Sequence, residues 1–225
     1  MKSLSISIPT YNNDKTIKAL VEESLHVLSK ITQDYEVVVI NDGSKDTTAK
    51  IIDNINNEKV KVYHHNNNLG FGPTLREVFT LPTKELVFFI PGDAQFSASE
   101  LLKFLPLVDK YDYILGMRKN RQDSFFRIIL SKIYNLIISL IGLKRVKDVN
   151  SIALLRKKAI EGIELRSNSA FIHAEIYLKL VKNGFLVGEV EVSHRPRLYG
   201  KSGAIRLKVL FSTIRDFILY ILRRL

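Results

Sequence analysis

The chain has 225 residues, 46% hydrophobic and 25% charged, enough for one sizeable core or a core with a small appendage. It contains no cysteine, which excludes disulfides, thiolate metal sites and cysteine nucleophiles. With 34 basic and 23 acidic residues the net charge is +11, which narrows the partners to nucleic acid, an anionic membrane or phosphorylated substrates.

Leu4 to Ile8 reads as an apolar strand running into Pro9-Thr10-Tyr11-Asn12-Asn13. Ser5, Ser7 and Pro9 break this stretch, so no signal peptide is expected. Lys15 to Ser29 carries apolar residues at helical spacing (Ile17, Leu20, Val21, Leu25, Leu28). Val37 to Ile40 is a second strand, ending in Asn41-Asp42-Gly43-Ser44, and Lys45 to Asn56 a second helix. Asp46 is read as its cap. Val60 to Tyr63 is a short strand before the polar loop His64 to Asn68, and Gly70, Gly72 and Pro73 punctuate the next helix start. Leu86 to Ile90 is a strand ending in Pro91-Gly92-Asp93-Ala94-Gln95. Ser97 or Ser99 caps a helix through Lys110, and Tyr113 to Leu115 is a strand ending at Gly116-Met117-Arg118. This alternation predicts a mainly parallel, doubly wound α/β sheet.

The second half departs from that rhythm. Phe125 to Leu143 is a long apolar helix with one polar stripe, Arg127, Ser131, Asn135 and Ser139. Ser151 to Leu155 is a strand, Ile172 to Asn183 a helix, and Gly188 to His194 an edge strand before the basic loop Arg195 to Ser202. A final amphipathic helix runs from about Ala204 to Arg224. No apolar run reaches the roughly 18 residues of a membrane span. Lys and Arg interleaved with aliphatic faces from Arg118 onward point to a membrane surface more than to nucleic acid. His64, His65, His173 and His194 show no metal-ligand spacing and read as structural or surface residues.

Three strands thus end in polar or acidic turns. Open α/β sheets bind ligands at the carboxyl ends of their strands. The turns after residues 8, 40 and 90 should therefore meet in one crevice, whose acids and amides suit a nucleobase edge and a metal-bound diphosphate.

Taken together and in order, Pro9-Thr10-Tyr11-Asn12, Asn41-Asp42-Gly43-Ser44, Asn68-Leu69-Gly70, Gly92-Asp93-Ala94-Gln95-Phe96, Gly116-Met117-Arg118 and Arg197-Leu198-Tyr199-Gly200-Lys201-Ser202 carry a family likeness. The chain resembles the family 2 inverting glycosyltransferases of the GT-A fold. The likeness is to their dolichol-phosphate mannosyltransferase-like branch and its polyprenyl-phosphate relatives, over roughly Leu4 to Ser202. The resemblance implies a catalytic domain over 1–202, and the amphipathic, basic pattern beyond it reads as a membrane-interface helix over 203–225. It implies that Pro9, Tyr11, Asn13, Asp42 and Asp93 bind the nucleotide sugar, with Asp42 accepting from the base. Asp93 and Gln95 would hold Mg²⁺ or Mn²⁺. Asp93, Arg118, Arg197 and Lys201 would serve catalysis. Arg127, Ser131, Arg197 and Ser202 would bind the acceptor phosphate, with Arg121 a weaker candidate near the sugar donor or the acceptor phosphate. Pro91 stands where the family has the first aspartate of its metal turn, and Asn13 where it commonly has glutamate.

The implied reaction moves a sugar from a UDP- or GDP-linked donor to a polyprenyl phosphate, at the cytoplasmic face of a membrane. The chain would be a peripheral protein, with a homo-oligomer or a membrane-protein partner compatible and no nucleic-acid partner. The alternatives are a family 2 transferase with a saccharide acceptor, needing a carboxylate such as Asp148 or Glu175, and a non-catalytic nucleotide-sugar-binding module.

Overall fold

The computed structural model describes residues 2–119, 125–197, 199 and 207–223. Its centre is a seven-stranded sheet: β1 (Leu4–Thr10), β2 (Tyr35–Asn41), β3 (Val60–His64), β4 (Leu86–Phe89), β5 (Tyr113–Lys119), β6 (Ala153–Arg156) and β7 (Val187–Ser193). The spatial order is β3-β2-β1-β4-β6-β5-β7, and β7 is an edge strand as its sequence suggests. All the strands run parallel except β6, which pairs antiparallel with both β4 and β5.

Strands buried on both faces read as continuous apolar runs. Val37, Val38, Val39 and Ile40 are all buried, and the alternation sends them to opposite sides. Ile6, Ile8, Val37, Val39, Phe88 and Ile114 join one core layer, under α1 (Ile17–Ile31) and α4 (Leu101–Phe104). Val38, Ile40, Val87, Phe89, Tyr113 and Leu155 join the other. That second layer is covered by α3 (Phe71–Thr80), α5 (Phe125–Gly142), α6 (Lys157–Ile160), α7 (Ile172–Lys182) and α8 (Leu207–Leu222).

Two expected helices are shorter than their patterns. α2 spans only Thr48–Asp53. The segment after Ser97 is a relay of short pieces, with Pro106 in the last, because proline cannot donate to a continuing helix.

The antiparallel strand matters for the site. Because β6 runs against its neighbours, its beginning lies at the edge where the others end, and Ala153 sits opposite both Phe89 and Leu115. The segment 148–152 therefore reaches the same crevice as the turns after β1, β2, β4, β5 and β7.

α5 is built in an unusual sense. Its polar stripe faces inward, and much of its apolar surface faces out. Asn135 is buried, donates to Lys147 O (2.8 Å) and accepts from Val149 N (3.0 Å). Ser139 Oγ accepts from Val146 N at 2.9 Å. Both side chains thus satisfy the backbone of 146–149, which no strand serves. Ile133, Leu136, Leu140 and Leu143 are exposed. α8 likewise exposes Leu210, Phe211, Ile214, Ile218 and Leu222, while burying Tyr220 against Phe171. Among the described residues no helix is long and apolar enough to cross a membrane.

Candidate active site

The turn after β1 is organised by its own amides. Asn12 takes a left-handed backbone (φ 53°), and its side chain accepts from Lys45 N at 2.8 Å. Asn13 Oδ1 accepts from Thr10 Oγ1 (3.0 Å) and Tyr11 N (3.2 Å), and its carbonyl receives Thr16 N and Ile17 N at the start of α1. Asn13 therefore shapes the turn. Tyr11, 40% exposed, is left as an open aromatic wall, with Pro9 half-buried behind it.

Asp42 is engaged within the chain. Its carboxylate accepts from His65 Nδ1 (2.8 Å), Leu69 N (2.8 Å), Asn68 Nδ2 (2.9 Å) and Gly70 N (3.0 Å). A carboxylate offers about four acceptor positions. Those of Asp42 are engaged, and the residue is 5% exposed. It pins the loop 65–70 against the end of β2 rather than presenting a vacant acceptor to a base. Gly43 permits this approach: its φ is +65°, and a Cβ there would meet Asn67 C at 2.5 Å. Asp46, read as the cap of α2, instead precedes the N-cap residue Thr47, and its side chain accepts from Thr48 N at 2.9 Å.

His65, expected to be structural or superficial, lies within this network. It is bonded to Asp42 on one side and to Glu77 Oε2 (2.7 Å) on the other. Burial opposes its charge, but the two carboxylates prevail and raise its pKa above the usual 6.5. The sequence carried no local signal for this role, since His65 sits in the polar loop 64–68, 23 residues beyond Asp42.

After β4, Gly92 N donates to Pro9 O (3.0 Å) and Thr16 Oγ1 donates to Gly92 O (2.7 Å), tying this turn to the first one. Ala94 is left-handed (φ 56°), and Gln95 N donates to Asp93 Oδ1 at 3.1 Å. The other carboxylate oxygen of Asp93 is paired with Arg197 Nη2, the nitrogen that also lies 3.4 Å from Gln95 Oε1. The two oxygens that sequence reasoning assigned to a metal thus converge on a single cationic nitrogen. Oxygen donors focused on one positive centre fit a hard divalent ion, with diphosphate oxygens and water completing its shell. Among the described residues no group of three His, Asp or Glu side chains does so without a substrate.

Arg118 ends its course in a buried fork. Its Nε and Nη2 donate to Asp148 at 2.7 and 2.8 Å, the side chains being 9% and 4% exposed. His173 packs between Phe71 and Phe89, with burial and then Arg118 pushing its pKa down to about 3. Glu175 accepts from Arg166 N, Ser167 N and Lys179 Nζ. In α5, Ser131 lies one turn before Asn135 and Arg127 one turn further, both half-buried. Lys201, Ser202 and Arg121 lie outside the described residues.

The family model described as Glycosyl transferase family 2 matches residues 5–163, spanning all the turns of the crevice up to Asp148. The chain belongs to glycosyl transferase family 2. Curated relatives include the undecaprenyl-phosphate 4-deoxy-4-formamido-L-arabinose transferase of Proteus mirabilis (strain HI4320), 26% identical over 216 residues. The enzyme of the same name from Serratia proteamaculans (strain 568) is 28% identical over 218 residues. Each match covers 93% of this family 2 chain and 65% of the relative's length. Among solved structures, glucosyl-3-phosphoglycerate synthase from Mycobacterium tuberculosis with Mn²⁺, uridine diphosphate and phosphoglyceric acid superposes with a TM-score of 0.76 at 13% identity, over 99% of this chain and 78% of that one. The same synthase with Mg²⁺ and uridine diphosphate gives a TM-score of 0.72 at 12% identity, over 99% and 79%. At such identities the likeness is one of fold, and the fold is GT-A. That synthase thus holds Mn²⁺ or Mg²⁺ with uridine diphosphate.

Proposed function

We propose that this chain transfers a sugar from a uridine- or guanosine-diphosphate sugar to a polyprenyl phosphate, with inversion at the anomeric carbon. The observation that carries the donor half is the convergence of Asp93 and Gln95 oxygens on one cationic centre, on the sheet edge that also presents Tyr11. The names of the curated relatives support the acceptor half.

Tyr11 would stack on the base. Asp42 would act at one remove, by holding Leu69 and Gly70 beside it. Asp93 and Gln95 would hold Mg²⁺ or Mn²⁺, which when bound supplies positive charge to the departing diphosphate. Arg197, with Lys201, would add cationic charge at the same place. Arg127, Ser131 and Ser202 would receive the acceptor phosphate. A phosphate monoester has a second pKa near 6, so it is largely dianionic at neutral pH and attacks without a strong general base.

That chemistry suits this crevice better than a saccharide hydroxyl does. A hydroxyl needs a free carboxylate to take its proton. Asp148 is engaged by Arg118, and Glu175 by two backbone amides and Lys179. The exposed apolar faces of α5 and α8 would rest in the interface of the cytoplasmic side of a membrane, bringing the crevice to a lipid-borne phosphate.

Release of nucleoside diphosphate from UDP- and GDP-linked sugars, with Mn²⁺ or Mg²⁺ and with or without undecaprenyl phosphate, tests the reading. Turnover should appear only with the lipid phosphate and fall by about 100-fold or more in Asp93→Ala. Turnover on a saccharide without the lipid, or nucleotide binding with no turnover on any donor, would overturn it.

A further inference from the structure

Arg197 does not reach Asp93 by chance of a long side chain. The segment that carries it is templated on the turn after β4. Arg195 N donates to Gln95 O at 2.9 Å, Gln95 Nε2 lies 3.2 Å from His194 Nε2 and donates to Arg195 O at 3.4 Å, and the His194 ring packs 5.2 Å from that of Phe96. The edge strand β7 is thereby tied back across the sheet to the turn after β4, two strands away from its own neighbour β5. Asp93 Oδ1 accepts from Gln95 N, and Oδ2 is the oxygen turned to the cation.

From these contacts we infer that Arg197 is the resident cation of the site. The divalent ion then enters only as a chelate of the donor diphosphate, taking over Asp93 while Arg197 passes to the diphosphate. The inference rests on the nucleoside-diphosphate reading above and adds to it the form in which the ligand is accepted.

Charge makes the argument. Asp93 and Arg197 together are neutral, and Pro91 adds no acid beside them. A bare divalent ion would leave the cluster with two uncompensated positive charges, beside a displaced guanidinium with no new partner. The diphosphate of a nucleotide sugar brings about two negative charges and that of uridine diphosphate about three near neutral pH, so either chelate removes the excess positive charge and offers Arg197 phosphate oxygens that its planar fork can bind in pairs.

Binding of Mn²⁺ followed by loss of the free-ion electron paramagnetic resonance signal tests this without any turnover. The wild-type chain should bind Mn²⁺ at least about tenfold more weakly alone than with uridine diphosphate. Arg197→Ala should tighten Mn²⁺ binding without nucleotide by about tenfold and weaken binding of the nucleotide chelate. Arg197→Lys, which keeps the charge, should bind the bare ion as weakly as wild type. Asp93→Asn should remove Mn²⁺ binding in either background, which ties the signal to this carboxylate, and circular dichroism melts would verify that each variant folds. Equal Mn²⁺ affinity with and without uridine diphosphate, or an unchanged affinity in a folded Arg197→Ala, would overturn the inference while leaving the donor reading intact. Failure of uridine and guanosine diphosphates to bind at all with Mn²⁺ would overturn the donor reading and the inference with it. Ordered chelate binding without transfer to undecaprenyl phosphate would support the inference and overturn only the acceptor reading.

Discussion

The imidazole of His65 is held between two carboxylates, Asp42 and Glu77, so its protonated form is favoured in the folded chain. Its folded pKa is raised above the unfolded 6.5. A group shifted in that direction contributes stability that is fully present below the unfolded value and is lost as pH rises through the folded one. Urea denaturation of wild type and His65→Gln at about pH 6 and about pH 9 should show a stability advantage of wild type that shrinks at the higher pH. An advantage that stays constant or grows would contradict the charged bridge. The residue scale also explains why the Asp42 carboxylate finds its partners within the chain. A carboxylate 5% exposed has to find donors within the chain, and the backbone of 69–70 supplies two of them. Nothing in the local string Asn-Asp-Gly-Ser reveals that, because the donors lie more than 20 residues away.

At the scale of elements, α5 separates two jobs between its faces. Asn135 and Ser139 hold the strandless segment 146–149, which carries Asp148 to Arg118. Leu136 and Leu140 on the outer surface are 60% and 66% exposed and support nothing inside the fold. Leu136→Glu with Leu140→Glu should therefore leave the melting temperature nearly unchanged but reduce binding to vesicles of phosphatidylglycerol and phosphatidylethanolamine several-fold. Sedimentation with such vesicles measures the effect, and undiminished binding would remove α5 from the membrane surface. The length and apolar character of α5 were legible from its periodicity. The inward sense of its polar stripe was not, since a stripe of amide and hydroxyl groups suits a lipid phosphate and an orphaned backbone equally well. The direction of β6 was equally hidden. Ala-Leu-Leu-Arg is a short apolar run that fits a parallel or an antiparallel place in a buried sheet.

Across the whole molecule, α8 is both cover and exposed surface. Phe217 and Tyr220 pack edge-on against the fully buried Phe171 at 5.7 and 5.5 Å, and Asp216 accepts from Asn168 N at 2.8 Å. Removing the ring in Tyr220→Ala should cost about 2–4 kcal/mol of unfolding free energy, read from urea titrations with an unchanged m-value. A loss within about 0.5 kcal/mol would mean that α8 is merely laid on the surface rather than part of the core.

The sequence by itself determined the α/β alternation, the three strand-end turns that form the crevice, and the family to which the chain belongs. These follow from local signals: apolar runs, the turn residues after them, and the rule that parallel strands share a carboxyl edge. Only the tertiary structure decided what each charged group in the crevice faces. It set Arg197 against Asp93, Arg118 against Asp148, and His65 between Asp42 and Glu77. The physical reason is range. Strand and helix patterns are written within a few residues, whereas the partner of a buried charge is supplied by whichever distant element the sheet order brings beside it. Here the segment leading into an antiparallel strand and a returning edge loop brought partners 30 and 104 residues away.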